Sequence, residues 1–371
     1  MSVTVCKFGG SSVCDARMFL RVRDIVLSSP DRKYIVLSAP GRRTPDDEKI
    51  TDLLYRAYGC GGAGDQFIFA QIFHRYASIR DRLVPSFDLE TEFARMRSIS
   101  PACADYMASR GEYLCAKLFA AFMDLPFVDA ADLFVFSGDG IDFEATCRRV
   151  QMKLQGIERA VIPGFYGASE NCGIKTFSRG GSDVSGAVLA AALQADRYEN
   201  WTDVDGLFTA DPNIVPDARR SRLVSLDQME RIARCGANLL HPDALLPIRG
   251  TGIETVIKNT FAPDDPGTRI VDADLPAVPC VTGMRGMYLL PHADDADASS
   301  ALLHPTPAAG ARRVACVNVF GLALEHTDAL HAEIKPIDII HMHDHMQIII
   351  EEADYAGTVR KIHSILMKCR A

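Results

Sequence analysis

Two glycine-rich segments contain the residues whose types and spacing are best suited to chemistry. Residues 178–183 read Ser-Arg-Gly-Gly-Ser-Asp and precede an alanine-rich pattern, which predicts a helix over residues 182–195 with Ser182 as its N-cap. Adjacent glycines let a backbone approach phosphate oxygens, and the N–H groups at a helix start bind anions. Arg179 and Asp183 add a guanidinium and a carboxylate, so this segment is predicted to hold an anion beside both charges.

The second glycine-rich segment lies near the N-terminus. Residues 3–6 alternate like a buried strand, residues 7–12 read Lys-Phe-Gly-Gly-Ser-Ser, and a helical pattern covers residues 15–27. This order is typical of a phosphate-binding loop in which Lys7 supplies a mobile point charge. It matches neither the GxxxxGKS/T nor the GxGxxG pattern, which disfavours those two nucleotide-binding folds. Either loop alone is better interpreted as a tight turn, but the pair predicts a phosphate site.

Composition limits the classes of protein that the chain can represent. It has 371 residues, 48% of them hydrophobic and 24% charged, which indicates a globular protein of two or more domains. A net charge of −8 argues against nucleic-acid binding and against a polybasic membrane patch. We find no apolar run near the ~20 residues that span a bilayer and no signal-peptide core. The 11 cysteines form no CxxC pair, which predicts reduced thiols in a cytoplasmic protein; disulfides or a zinc site are the alternative.

Strand-like and helical patterns alternate along most of the chain. Strands are predicted at residues 3–6, 34–38, 160–163, 198–202 and 255–259, and helices near residues 15–27, 51–58, 63–82, 101–123, 143–156, 183–195, 226–234 and 242–249. This alternation predicts an α/β fold with a largely parallel sheet between helical layers. The first glycine loop, Ser38 and the 202–206 loop each follow a strand, so we expect them to face one crevice.

The C-terminal part is predicted to be a smaller module. Residues 261–279 are rich in proline and acids and are interpreted as a linker, and residues 291–311 as a mobile loop. Strands are predicted at residues 281–290, 314–320, 337–341 and 346–351, with helices near residues 327–333 and 355–367. His341, His343 and His345 would share one face of a straight strand, a possible metal geometry. A hairpin turn around residues 343–345 is the favoured interpretation.

Taken together, the separated motifs resemble those of the aspartate kinases of the amino-acid kinase superfamily over residues 3–271. The motifs are residues 7–12 (KFGGSS), 36–39 (VLSA), 50–54 (ITDLL), 109–112 (SRGE), 164–167 (GFYG), 178–183 (SRGGSD), 201–206 (WTDVDG) and 240–242 (LHP). The resemblance implies an αβα sandwich at residues 1–271 that binds ATP and aspartate, followed at residues 280–371 by a reduced ACT-like (ferredoxin-like) region. It also implies a homodimer.

The resemblance further implies a reaction and a role for each site residue. The reaction transfers the γ-phosphoryl of Mg²⁺-ATP to the β-carboxylate of L-aspartate, giving 4-phospho-L-aspartate, the first step toward lysine, threonine, methionine and diaminopimelate. Because that carboxylate is already ionised at pH 7, the site needs charge shielding and alignment rather than a general base. Lys7 and Asp183 would be the catalytic residues. The substrate contacts would be Ser38, Thr51, Glu112, Phe165, Arg179 and Ser182. The ATP contacts would be Lys7, Gly9, Gly10, Ser11, Gly180, Gly181, Thr202, Asp203, Phe208, Asn238 and Leu239.

Several of these residues have a simpler structural interpretation. Thr51 could equally be a helix N-cap, and Asp183 could be an acid in the first turn of a helix that the helix dipole favours. Asn238 and Asn213 stand where the family often has cations, which predicts weaker ATP binding unless the two arginines of residues 40–44 compensate. The region after residue 270 is too short for two ACT modules. Two alternatives therefore stay open: a kinase for a related amino acid such as glutamate, and a catalytically weak regulatory homologue.

Overall fold

The computed structural model describes residues 2–60, 63–98, 103–169, 173–177, 180–237, 239–289, 303–307, 310–322, 330 and 333–368. The chain forms two compact units, the first made of Met1–Asp205 with Leu240–Asp272 and the second of Gly206–Leu239 with Ala273–Ala371. The predicted 261–279 linker contains the point where the chain leaves the first unit for the last time. Residues 206–239 belong to the second unit, so the assignment of residues 1–271 as one catalytic domain stays a prediction.

The first unit is built on a sheet that is parallel except at one edge. The strands of the first unit, in its large sheet and its hairpins together, are β1 (Thr4–Phe8), β2 (Arg32–Leu37), β3 (Phe136–Ser137), β4 (Gly140–Ile141), β5 (Ala160–Pro163), β6 (Tyr166–Ser169), β7 (Gly173–Thr176), β8 (Arg197–Thr202), β10 (Glu254–Asn259) and β11 (Thr268–Val271). Within this unit the large sheet has the order β5-β2-β1-β8-β10-β11, and β3-β4 and β6-β7 are small hairpins. Only β11 runs antiparallel to its neighbour, β10. The α/β prediction is therefore confirmed.

Helices pack on both faces of that sheet. They are α1 (Ala16–Leu27), α2 (Ile50–Cys60), α3 (Ala63–Leu83), α4 (Leu89–Ser98), α5 (Ala104–Met123), α6 (Ala130–Leu133), α7 (Phe143–Lys153) and α8 (Gly181–Ala192). Because side chains alternate along a strand, Cys6 and Phe8 point into the core shared with α1 to α5, whereas Lys7 points to the α8 face. The face of the sheet that packs on α1 to α5 thus contributes to an apolar core, and the face toward α8 carries the charge of Lys7.

Three local predictions differ from the structure. Residues 242–249 form two short 3-10 turns (Pro242–Ala244 and Leu246–Ile248) instead of a helix, since Pro247 lacks the N–H that a helix interior requires. Helix α8 begins at Gly181, and the cap position is Gly180, so Ser182 is not the N-cap. Strand β11 lies inside the predicted linker, where the surrounding prolines and acids hid a four-residue edge strand.

The second unit contains a small antiparallel sheet. The helices and strands of the second unit are β9 (Leu223–Ser225), α9 (Leu226–Arg234), β12 (Cys280–Leu289), β13 (Leu303–His304), β14 (Arg312–Phe320), β15 (Asp338–His341), β16 (His345–Glu351) and α10 (Tyr355–Lys368). The sheet order is β13-β12-β14-β16-β15, and apolar residues of β14, β16 and α10 form its core. The small module is confirmed, whereas its kinship to ACT modules stays a prediction. Most of the predicted 327–333 helix and 291–311 loop lies outside the described residues.

The histidine cluster is a hairpin. Strands β15 and β16 pair antiparallel, and the N–H of Met342 donates to the carbonyl of His345 at 2.9 Å, which closes the turn around His343. The favoured hairpin interpretation is therefore confirmed. Among the residues with described positions, no group of three or more His, Cys, Asp or Glu side chains is arranged to hold a metal ion. Within the same residues, no helix is long and apolar enough to cross a membrane.

Candidate active site

The first unit gathers the predicted loops at the carboxyl ends of three neighbouring parallel strands. Phe8, the last residue of β1, lies beside Leu37 of β2 and Trp201 of β8. Beyond the strand ends, the N–H of Gly9 donates to the carbonyl of Trp201 at 3.0 Å, and the N–H of Ser38 donates to the carbonyl of Phe8 at 3.1 Å. The expectation that these loops share one edge of the sheet matches this geometry. Such an edge is where ligands bind in open α/β sheets.

Lys7 and Asp183 form a buried ion pair next to that edge. Lys7 lies within β1 rather than after it and is only 7% exposed, and its Nζ contacts Asp183 Oδ1. The other carboxylate oxygen of Asp183 accepts the backbone N–H of His241 at 2.9 Å. Both oxygens of Asp183 are thus engaged, which fixes the carboxylate and the lysine ammonium that it balances.

Asn200 is a neighbour of this pair that the sequence analysis did not single out. It is 1% exposed on β8, directly beside Lys7, and its Oδ1 lies 3.4 Å from the Lys7 ammonium. Its Nδ2 has no hydrogen-bond partner among the described residues, which is unusual for a buried amide. The sequence signal that could have identified Asn200 is its polar amide within a strand whose pattern predicts burial.

The first glycine loop is shaped by contact with a neighbouring loop. A Cβ added to Gly10 would lie 2.9 Å from the carbonyl oxygen of Ala39, and one added to Gly9 would lie 3.5 Å from the Lys7 ammonium. The N–H of Gly41 donates to the carbonyl of Gly10 at 2.8 Å. Gly10 is therefore required for loop-to-loop packing, and a side chain there would displace backbone atoms.

The second glycine loop is held against His241 and Phe165. Gly180 has φ of +75°, and a Cβ there would lie 2.3 Å from the Cβ of His241. A Cβ on Gly181 would lie 2.7 Å from the rings or side chains of Phe165 and Phe177. Phe165 itself has φ of +78°, a conformation that costs a non-glycine residue about 1–2 kcal/mol. Strain of this kind persists where surrounding contacts enforce it and clusters at functional sites.

Two hydrogen bonds enforce the Phe165 conformation. Its N–H donates to Ser185 Oγ at 2.8 Å, and its carbonyl accepts the N–H of Phe177 at 2.8 Å. Ser185 lies on α8 and Phe177 follows β7. Phe165 is therefore positioned jointly by the helix that carries Asp183 and by the hairpin that leads into the second glycine loop.

Glu112 is a buried carboxylate with a free acceptor. It lies on α5 and is 4% exposed, and its Oε2 has no hydrogen-bond partner in the part of the chain that the structure describes. Burial raises its pKa from 4.5 to about 8, although the N–H of Ala39 and the charge of Arg110 act in the opposite direction. A Cβ on Gly111 would lie 2.8 Å from Ala39 Cβ, so α5 packs directly on the loop after β2. An orphaned, desolvated carboxylate beside the backbone of Ala39 is suited to a cationic ligand.

The remaining predicted residues lie as follows. Thr51 is the second residue of α2, so the N-cap interpretation is wrong for it. Ser182 packs against Gly164, where an added Cβ would lie 2.9 Å away. Thr202 ends β8 and its hydroxyl contacts Asp203 at 3.2 Å. Phe208 and Leu239 belong to the second unit, and Arg179 and Asn238 lie outside the described residues.

Comparison with known proteins identifies the family. The profile of the amino acid kinase family matches residues 2–259. The chain belongs to the amino acid kinase family. It is 32% identical over 349 residues to aspartokinase 3 of Bacillus subtilis, an alignment that covers 87% of this chain and 74% of that protein. Chloroplastic aspartokinase 3 of Arabidopsis thaliana is 32% identical over 295 residues, 72% of this chain and 52% of the relative. The chain thus spans about half the length of this plant amino acid kinase.

Solved structures of the amino acid kinase family share the fold. The aspartate kinase of Clostridium acetobutylicum is 29% identical, with a TM-score of 0.82 over 98% of this chain and 100% of that one. The E. coli aspartokinase III complex with aspartate and ADP is 22% identical, with a TM-score of 0.83 over 99% and 100% of the two chains. The predicted αβα architecture with a small additional sheet is confirmed by these similarities.

Proposed function

We propose that this protein is an ATP-dependent kinase that transfers the γ-phosphoryl group to the β-carboxylate of L-aspartate. The observation that carries the proposal is the buried Glu112 carboxylate, whose unpartnered oxygen is suited to an ammonium. It lies on the helix packed against the loop that touches the Gly9–Gly10 segment. A phosphate loop and an ammonium acceptor at one sheet edge are what an amino-acid kinase requires, and the curated relatives carry the name aspartokinase.

In the proposed reaction the two substrates are anions, and the site must bring them together. The aspartate β-carboxylate is ionised at neutral pH and attacks without a general base. Lys7, fixed by Asp183, would neutralise charge on the transferring phosphoryl group. Glu112 would bind the substrate α-ammonium and Arg179 its α-carboxylate, since a guanidinium pairs with a carboxylate in a bidentate way. Ser38, Thr51, Phe165 and Ser182 would complete the aspartate pocket.

The proposed nucleotide site uses the two glycine loops. The backbone N–H groups of the first and second glycine loops would bind phosphates, with Thr202 and Asp203 near the sugar or base. Mg²⁺ would enter as Mg²⁺-ATP, held mainly by phosphate oxygens and water. The engagement of both Asp183 oxygens supports this, because that carboxylate is not free to ligate a cation directly. When bound, the ion would withdraw charge from the phosphates.

The decisive assay measures ADP release from Mg²⁺-ATP with aspartate, and with glutamate as the control substrate. We expect turnover with aspartate only. Lys7→Ala should lower turnover by orders of magnitude, because it removes the one buried cation beside Gly9 among the described residues. Lys153→Ala is the matched control, since Lys153 is an exposed lysine that pairs with Asp132. Near wild-type turnover of Lys7→Ala, or equal turnover with glutamate, would contradict the assignment. ATP binding without turnover would favour the catalytically silent homologue.

Four further properties are also proposed. The resemblance of the sequence to aspartate kinases supports a homodimer, whose mass by sedimentation would be twice the 40.6 kDa of one chain. It also supports an ACT-like role for the small antiparallel sheet and a place in amino-acid biosynthesis, including the lysine branch. A cytoplasmic location is supported by the described cysteines, each of which is a free thiol. Analytical ultracentrifugation and fractionation of cells test the first and last of these.

A further inference from the structure

The loop after β2 is packed onto the first glycine loop without clearance. The N–H of Gly41 donates to the carbonyl of Gly10 at 2.8 Å, and a Cβ added to Gly41 would lie 2.6 Å from the carbonyl carbon of Gly10. Gly41 and Gly10 are thus in backbone contact. The residue after Gly41, Arg42, therefore lies close to the sheet edge at which we place the phosphates of ATP.

A buried arginine fixes this loop from behind. Arg75 of α3 is 5% exposed, and it donates to the carbonyl of Gly41 and, at 3.1 Å, to the carbonyl of Glu48. It also forms an ion pair with Asp47 at 3.1 Å. Three contacts from one desolvated guanidinium hold both ends of the loop, so its geometry is set before any ligand arrives.

The two arginines inside the loop have different surroundings. Arg43 is bound to Asp47 through Nε at 2.8 Å, and its backbone N–H donates to the same carboxylate at 3.0 Å. Arg42 is exposed and has no ion pair or hydrogen bond to any residue of the described chain. Of the three arginines at this loop, two hold it in place and one is unused.

We propose that Arg42 binds the terminal phosphates of ATP at the Gly9–Gly10 loop. The proposal rests on the proposed function and assigns it a further residue. Asp183 offsets part of the charge of Lys7, so a further protein cation would add to the neutralisation of the phosphates by Lys7 and Mg²⁺. Arg42 can supply that charge without breaking an existing pair, and guanidinium groups bind phosphate oxygens in a bidentate way. Such a contact would also compensate for the neutral Asn213 and Asn238.

The test compares nucleotide binding by the full chain and its variants. Arg42→Ala should weaken ATP binding about tenfold or more, measured by calorimetry, because a charge-assisted contact is lost. Binding of AMP, which lacks the terminal phosphates, should not change. Arg42→Lys should restore part of the ATP affinity. Arg17→Ala is the charge-matched control, since Arg17 is a largely exposed arginine of the same unit whose one ion pair among the described residues is with Asp15, at 3.9 Å.

Each outcome decides for or against the assignment. Equal ATP affinity in the Arg42→Ala and Arg17→Ala variants overturns it, and so does an equal loss of ATP and AMP affinity, which would indicate a distorted loop. The wild-type assay with aspartate is a separate readout. If the wild type binds ATP without phosphorylating aspartate, the proposed function fails while a selective loss of ATP affinity still supports the Arg42 contact.

Discussion

Aspartate binding should release a proton from Glu112. The pKa of Glu112 is about 8, because burial disfavours the charged form. An ammonium ligand requires the ionised carboxylate. At pH 7 roughly ten protonated molecules exist for each ionised one, so binding should release about 0.9 proton. Below pH 8 the affinity for aspartate should rise about tenfold per pH unit, or about 50-fold between pH 6 and pH 8, and level off above.

The same group should make stability depend on pH. The folded pKa of Glu112, about 8, exceeds the reference value of 4.5, so between these pH values the folded state binds more protons than the unfolded state. The free energy of unfolding therefore falls as pH rises through this window, by up to about 5 kcal/mol at 1.36 kcal/mol per pKa unit. Glu112→Gln removes that cost. The variant should melt at a higher temperature than the wild type at pH 8.5, and the difference should shrink toward pH 5.

Two measurements test this reasoning. Calorimetry at pH 7 in buffers of different ionisation enthalpy gives the number of protons released on aspartate binding, and thermal melts without aspartate give the stability difference. Glu158→Gln is the control, because Glu158 is exposed and should show neither effect. An aspartate affinity that stays constant between pH 6 and pH 8, with no proton release, would refute the reasoning. Glu112→Gln should bind aspartate weakly and without this pH dependence.

Two further substitutions test the packing of the site. Gly180→Ala should lower both the melting temperature and the activity, because its Cβ would lie 2.3 Å from His241, whereas Gly156→Ala, at a similar φ of +78° in open space, should show only the backbone strain of about 1–2 kcal/mol. Equal melting temperatures for the two variants would contradict the His241 contact. Asp47→Asn should destabilise the protein by about 2 kcal/mol at pH 7. Burial alone would raise the pKa of Asp47, but hydrogen bonds from Arg43 and the charge of Arg75 lower it from 3.8 to about 2. That stabilisation is present above pH 3.8 and is lost as pH falls toward 2, so a difference between Asp47→Asn and wild type that stays constant from pH 6 to pH 3 would oppose it.

Much of the first unit could be predicted from local patterns. Alternation at residues 3–6 and 198–202 and the helical period at residues 15–27 depend on neighbours within a few residues, and the strands and helix lie there. The elements that were missed or misplaced were decided by other forces. Pro247 breaks the helical pattern after His241, and the four-residue β11 becomes a strand only because β10 offers it a partner. Edge strands this short carry too few residues for a period to be read.

Contacts between distant segments could not be read from the sequence. The sequence predicts that Gly180 lets the backbone approach phosphate, yet the nearest atoms to a Cβ at this position belong to His241, more than 60 residues further along the chain. Asn200 lies within the predicted strand at residues 198–202, and only the pairing of β1 with β8 brings it to Lys7. Sequence separation carries no information on such distances, because they are set by the order of strands in the sheet.

The amino-acid sequence alone shows which chemical groups this protein possesses and the order in which strands, loops and helices present them. Motif spacing was enough to name the family, since glycines, Lys7 and Glu112 occur in the expected sequence context. The folded structure sets the state of each group. Asp183 balances Lys7, Glu112 is desolvated and holds a proton near neutral pH, and Arg42 has no ion pair with any described residue, whereas Arg43 pairs with Asp47. Charge, pKa and pairing depend on distances of a few ångströms between atoms of remote segments, and folding sets those distances.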